Sequence, residues 1–211
     1  LYNDSLVLCE DLDNLEVALA NTQINRPYNC MMSPIDQSLI IDDNLLTCIK
    51  SHSTDIADLT SLNCNYDNIE SLDGIEKLEN LTYLELTRNN LTDLSPINSL
   101  PELTRLYLSN NSISDIATIT DLTNLNILDL SDNSLEDIST LTNLTTLTSL
   151  NLQNNTIDDI AELSELTSLI TLRLNNNNIT DLTGLSTLTT LQTLTLSNNT
   201  ITDVSLLSTL T

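Results

Sequence analysis

From residue 56 onward the apolar positions keep one beat. A unit of the form LxLxxN returns every 22 residues, at 62–67, 84–89, 106–111, 128–133, 150–155, 172–177 and 194–199. The first copy is imperfect, with Cys64 in place of the second Leu and Asp67 in place of the Asn. Between units the apolar residues also stay in step, as in Leu106, Leu108, Ile113, Ile116, Ile119, Leu122 and Leu125. Alternating apolar residues in LxL predict a short strand with one face inward. The wider spacing that follows predicts a tight helical or 3₁₀ return on the outer side. Units in fixed register stack as parallel strands about 4.8 Å apart, and outer arcs longer than the strands curve the stack.

Two polar columns serve this geometry. Asn89, Asn111, Asn133, Asn155, Asn177 and Asn199 each close a strand unit. An amide both donates and accepts, so it can satisfy the backbone of its own turn and of the next repeat. That suits a chain with only two Gly and four Pro to shape its bends. Asp93, Asp115, Asp137, Asp159, Asp181 and Asp203 each precede the apolar residue that starts the outer arc. A carboxylate there caps a helical turn and meets its positive end. A calcium ladder is the rival reading, but calcium takes six to eight clustered oxygens and one Asp per repeat does not supply them.

These motifs resemble the leucine-rich repeat in its 22-residue, SDS22-type form, and with "NxIxDIxxLxxLxxL" they are similar to bacterial internalin-like surface proteins. The resemblance covers about 155 residues and is specific for fold rather than function. It implies an α/β architecture: a right-handed solenoid with a parallel sheet on its concave face, a 3₁₀ or irregular convex face and a helical N-terminal cap. The expected organisation is a cap over residues 1–55 and about seven repeats over 56–211, the last one incomplete. The stop in "LLSTLT" leads to the expectation that the parent chain is longer.

Residues between the core leucines of each strand point to the concave face. The chain has five Tyr, four Arg and neither Phe nor Trp. Every Tyr and Arg of the repeats falls in four columns on or beside that face: Tyr66, Tyr83, Tyr107, Arg88, Arg105 and Arg173. Ile127, Glu85 and Asp129 share these columns. All but Arg173 lie in the first four repeats, and later repeats carry mostly Thr, Ser and Asn there. Tyr and Arg are enriched at energetic hot spots of protein interfaces. The bland alternative is that Tyr favours strands and Arg offsets acids. It accounts for the Tyr better than for the Arg, and it does not account for the bias to one end. These nine residues are therefore the candidate partner-binding set.

Residues 1–55 do not keep the repeat register. "CEDLDNLEVALA" predicts a short amphipathic helix with Leu12, Leu15 and Leu19 on one side. "NLLTCIKS" followed by "LTSLNCNYDNIESLDGIEKLENL" is similar to the junction between cap and first repeat in internalin-like proteins. All four Cys, Cys9, Cys30, Cys48 and Cys64, gather in or beside this segment. An even count in one irregular region predicts disulfides. Three pairings are open, and Cys9–Cys30 with Cys48–Cys64 is favoured by proximity. Disulfides imply an oxidising compartment; four buried thiols in an intracellular protein is the alternative. No Cys-x-x-Cys spacing favours zinc.

Charge narrows the partner. The net charge of −24 argues against non-specific nucleic-acid binding and against docking on an anionic membrane surface. No apolar run approaches the ~20 residues that span a bilayer as a helix. His52 is the single His, and no nucleophile–base pair, phosphate loop or metalloprotease motif accompanies it. Neither a cofactor nor a metal is expected, nor is an enzyme. The expected function is recognition of a protein, such as a host or neighbouring-cell surface protein, by a secreted or surface-attached bacterial protein. The alternatives are a structural spacer and an intracellular SDS22-like phosphatase regulator.

Overall fold

The computed structural model describes residues 42–53 and 59–209. The predicted helix around Leu12, Leu15 and Leu19, together with Cys9 and Cys30, lies outside the described residues. Helix α1 (Asp43–His52) is followed by seven three-residue strands. These are β1 (Ser61–Asn63), β2 (Tyr83–Glu85), β3 (Arg105–Tyr107), β4 (Ile127–Asp129), β5 (Ser149–Asn151), β6 (Thr171–Arg173) and β7 (Thr193–Thr195). They form one parallel sheet in chain order, each residue paired with its equivalent one repeat on. Between strands the chain returns through short 3₁₀ segments such as Ser95–Ser99, Ala117–Asp121 and Ser139–Asn143. Strand inside and 3₁₀ turn outside is the architecture of a leucine-rich-repeat solenoid.

The core is a stack of like on like. The central Leu of each strand, the Leu two residues on and the convex Ile and Leu are almost completely buried from Leu62 to Leu188. Each repeat buries its apolar stripe against its neighbours, because one unit alone cannot close a core. Helix α1 takes the neighbour's place at the N-terminal end. Its Leu45, Leu46, Cys48 and Ile49 join the same core. Asp42 fixes the helix to the first repeat. Its Oδ1 accepts from the amides of Asn44 and Leu45, both at 2.9 Å. Its Oδ2 accepts from the amides of Glu70 at 2.7 Å and Ser71 at 3.1 Å.

The Asn column lies inside the turns, and it bonds backward. Asn155 accepts from the Leu135 amide at 3.0 Å and donates to the carbonyls of Leu130 and Leu152, both at 3.0 Å. Asn111, Asn133, Asn177 and Asn199 repeat this set. The expectation of bonds to the next repeat is thus corrected: the partners are the residue's own turn and the preceding repeat. The Asp column caps the outer arcs. Asp93, Asp115, Asp137, Asp159, Asp181 and Asp203 each accept the amide two residues on, at 2.7–2.9 Å. One close approach demands a glycine: a Cβ on Gly184 would sit 1.9 Å from the Ile160 carbonyl oxygen.

Candidate functional site

The register sets the concave surface. Tyr83, Arg105 and Ile127 lie side by side on β2, β3 and β4, and Glu85, Tyr107 and Asp129 form the next row. Because the central residue of each strand is buried, its two flanking residues share the opposite face. The sheet thus brings six of the nine candidate residues together as two rows on three adjacent strands. Tyr66 and Arg88 stand at the turns that follow β1 and β2. Arg173, on β6, is set apart from the others.

Within the patch the side chains hold one another. The rings of Tyr83 and Tyr107 are tilted at 45° with centroids 5.5 Å apart, an arrangement favoured by the ring quadrupoles. The Tyr83 hydroxyl donates to Glu85 Oε2 at 2.5 Å, and Asn63 Nδ2 donates to the same oxygen at 2.9 Å. Partial burial, followed by the hydrogen bond to Glu85 and its negative charge, pushes the Tyr83 phenol up to about 12. Arg105 opposes that shift and is itself exposed. Asp129 is engaged by Ser131, whose amide donates at 2.9 Å and hydroxyl at 2.6 Å, and by Asn151 Nδ2 at 3.1 Å.

The outermost column has a backbone signature of its own. Tyr66, Arg88, Asn110, Asp132, Asn154, Asn176 and Asn198 are all left-handed, with φ between 55° and 64°. Asn and Asp tolerate that region far better than other residues with a Cβ. In the later repeats their side chains add a ladder: Asn198 donates to Asn176, Asn176 to Asn154 and Asn154 to Asp132. In the first two repeats Tyr66 and Arg88 occupy these same positions. The Arg88 guanidinium lies over the Tyr66 ring, 5.0 Å from its centroid. The abundance of Asn and Asp in this column was the sequence signal for the left-handed turn.

At the edge of the repeats Cys48 of α1 and Cys64 after β1 are joined in a disulfide. Asp67 lies close enough to complete a three-residue ligand cluster, but both sulfurs are bonded to each other and no thiolate is available to a metal. His52 engages its own helix, with Nδ1 2.9 Å from the Cys48 carbonyl oxygen. Among the described residues no helix is long and apolar enough to cross a membrane.

The leucine-rich-repeat (two copies) family model matches residues 79–122, 101–143, 123–166, 145–187 and 167–210. Among solved structures, an internalin (inlF) of Listeria monocytogenes is similar at 32% identity with a TM-score of 0.70. The match covers 87% of this chain and 64% of that one, so the chain spans less than two thirds of that relative. Internalin C2 of the same organism matches at 31% identity and a TM-score of 0.67, over 85% of this chain and 93% of that one. A leucine-rich-repeat protein of Leptospira interrogans matches at 29% identity and a TM-score of 0.56, over 68% and 44%. No curated protein sequence matches.

Proposed function

The chain belongs to the leucine-rich-repeat family, and from that premise we propose that it binds a protein partner through the N-terminal half of its concave face. Leucine-rich-repeat proteins of this internalin-like kind are protein–protein interaction modules. The finer reading assigns the contact to Tyr66, Tyr83, Glu85, Arg88, Arg105, Tyr107, Ile127 and Asp129, with Arg173 as an outlying contact. The observation that carries it is the concentration of the repeats' Tyr and Arg on adjacent strands of one face. The Tyr83–Tyr107 contact and the Tyr83–Glu85 bond supply preorganisation, which lowers the entropic cost of binding.

The module is non-enzymatic in this reading and needs no cofactor. The organisation proposed with it is a cap over residues 1–55 and repeats over 56–211. The Cys48–Cys64 disulfide supports a secreted or cell-surface setting over an intracellular phosphatase regulator. Adhesion to a host or neighbouring cell is the role proposed there.

The test is affinity capture from bacterial and host surface extracts. Wild type runs beside a Tyr83→Ser, Arg105→Ser, Tyr107→Ser triple variant of matched melting temperature. A protein held by the wild type and lost from the variant is the expected result. Equal retention by both would move the site off this face, and no specific capture would favour a structural spacer.

A further inference from the structure

The left-handed column is where this chain departs from its own best local solution. Five of its repeats place Asn or Asp at φ near 55–58°, and the last four of these are joined by the side-chain ladder. Tyr66 and Arg88 hold the same backbone at φ 64° and 59° without that tolerance. Residues kept in sparsely populated backbone regions mark places where another requirement dominates. The backbone itself is pinned as in the other repeats: the Tyr66 amide donates to the Thr87 carbonyl at 3.1 Å and the Arg88 amide to the Ser109 carbonyl at 2.8 Å. What the two substitutions change is therefore the side chains alone, and both are exposed, Tyr66 at 61%.

The geometry fits one kind of ligand. The Arg88 guanidinium lies over the Tyr66 ring, a contact that holds in place the planar fork of N–H donors that Arg carries. That fork matches a carboxylate in a two-point contact. The carboxylates of the neighbouring strands do not compete for it. Glu85 accepts from Tyr83 and Asn63, and Asp129 from Ser131 and Asn151. A single carboxylate also brings little negative charge to a chain of net charge −24, and the field of the remote carboxylates is screened beyond roughly 8 Å at physiological salt.

We infer that Arg88, lying over Tyr66, is a carboxylate-binding corner of the recognition face and takes an Asp or Glu side chain of the partner protein. This rests on the concave-face reading above and names the chemistry that one corner of it selects.

A library of short random peptides displayed on phage is selected on the immobilised chain, then re-tested on variants. Arg88→Lys keeps the charge and removes the planar fork. Arg88→Asn keeps a residue suited to the left-handed turn, so the fold is retained. The expected result is enrichment of peptides that share one Asp or Glu at a common position. Their retention should fall about tenfold or more on both Arg88 variants, the scale of a hydrogen-bonded charge, and should survive Arg173→Gln. Enriched peptides that need Tyr83, Arg105 and Tyr107, but show no acidic bias or ignore Arg88→Lys, overturn this inference and leave the recognition face standing. Enrichment indifferent to every one of these residues, or none at all, overturns both.

Discussion

Tyr83 and Glu85 sit two residues apart on one strand, and the phenol of the first donates to the carboxylate of the second at 2.5 Å. Burial and that carboxylate hold Tyr83 protonated until about pH 12. In the unfolded chain the phenol titrates near its ordinary value of about 10. The contribution to stability is therefore fully present below about pH 10 and is lost as pH rises toward the folded value. An ultraviolet titration of the folded protein should show Tyr83 ionising late. Glu85→Gln should bring that ionisation earlier. An unchanged late step in the variant would remove Glu85 from the explanation.

The left-handed turns give a stability test that separates fold from recognition. Arg88→Asn should leave the urea midpoint unchanged or raise it, because relief of an unfavourable backbone region offsets a cation–π contact of about 0.5–1 kcal/mol at an exposed site. Arg88→Val should lower stability, because Arg already carries the Cβ penalty of a left-handed residue and a β-branched side chain adds to it, while the cation–π contact of about 0.5–1 kcal/mol is lost as well. If Val and Asn were equally stable, backbone strain at this position would be the wrong account.

Much of this was legible in the chain. Once LxLxxN was found to repeat, the buried faces from Leu62 to Leu188 followed, because a fixed period makes equivalent residues stack. The rows Tyr83–Arg105–Ile127 and Glu85–Tyr107–Asp129 followed from the same register. What a period does not contain is direction. Asn155 has equivalent neighbours before and after it, so the pattern alone could not say that its amide reaches back to Leu130 and Leu135. Nor does it reveal backbone handedness at single residues. Tyr66 and Arg88 read as ordinary concave positions until their positive φ set them in a column built for Asn. Asp42 lies before the repeats, where no equivalent residue exists to expose its role, and its four amide partners come from two separate segments.

Asn155→Leu tests the inner ladder. The substitution leaves the Leu135 amide without its side-chain partner in a buried turn and takes one of two donors from the Leu130 and Leu152 carbonyls, which keep Asn133 and Asn177. One unsatisfied buried group costs about 1–3 kcal/mol, and a loss within that range is expected. Asn155→Asp retains the acceptor for Leu135 but turns an oxygen toward two carbonyls, and should be about as harmful. Urea denaturation followed by circular dichroism reads both. A loss below about 0.5 kcal/mol in either, within the usual range of surface changes, would mean that the turn finds other partners.

Acid should loosen the junction between α1 and the first repeat. Burial raises the Asp42 pKa, but amide hydrogen bonds from Glu70, Leu45, Ser71 and Asn44 outweigh it and leave the group below its ordinary value. A carboxylate with a depressed folded pKa contributes stability that is present above its unfolded value of about 3.9 and is lost as pH falls through the folded one. Wild type should therefore melt above Asp42→Asn at neutral pH, and the gap should close as pH drops below about 4. A gap that stays constant down to strongly acidic pH would show that shape, and not charge, makes the contact.

The Cys48–Cys64 bond ties α1 to the end of β1 across a sequence separation of 16. A loop of this size stabilises by about 3 kcal/mol in the chain-entropy account, because the unfolded chain loses freedom. The Cys48→Ser, Cys64→Ser double variant should lose about that much, with the loss concentrated where α1 covers the first repeat. The same chemistry reads the compartment. Wild type denatured without reductant should yield no reactive thiol if Cys9 and Cys30 are also paired, and the double variant should then yield none either. Two thiols in wild type would leave Cys9 and Cys30 free while keeping the bridge. Four would mean that the native chain is reduced, which would favour the intracellular regulator over a surface protein.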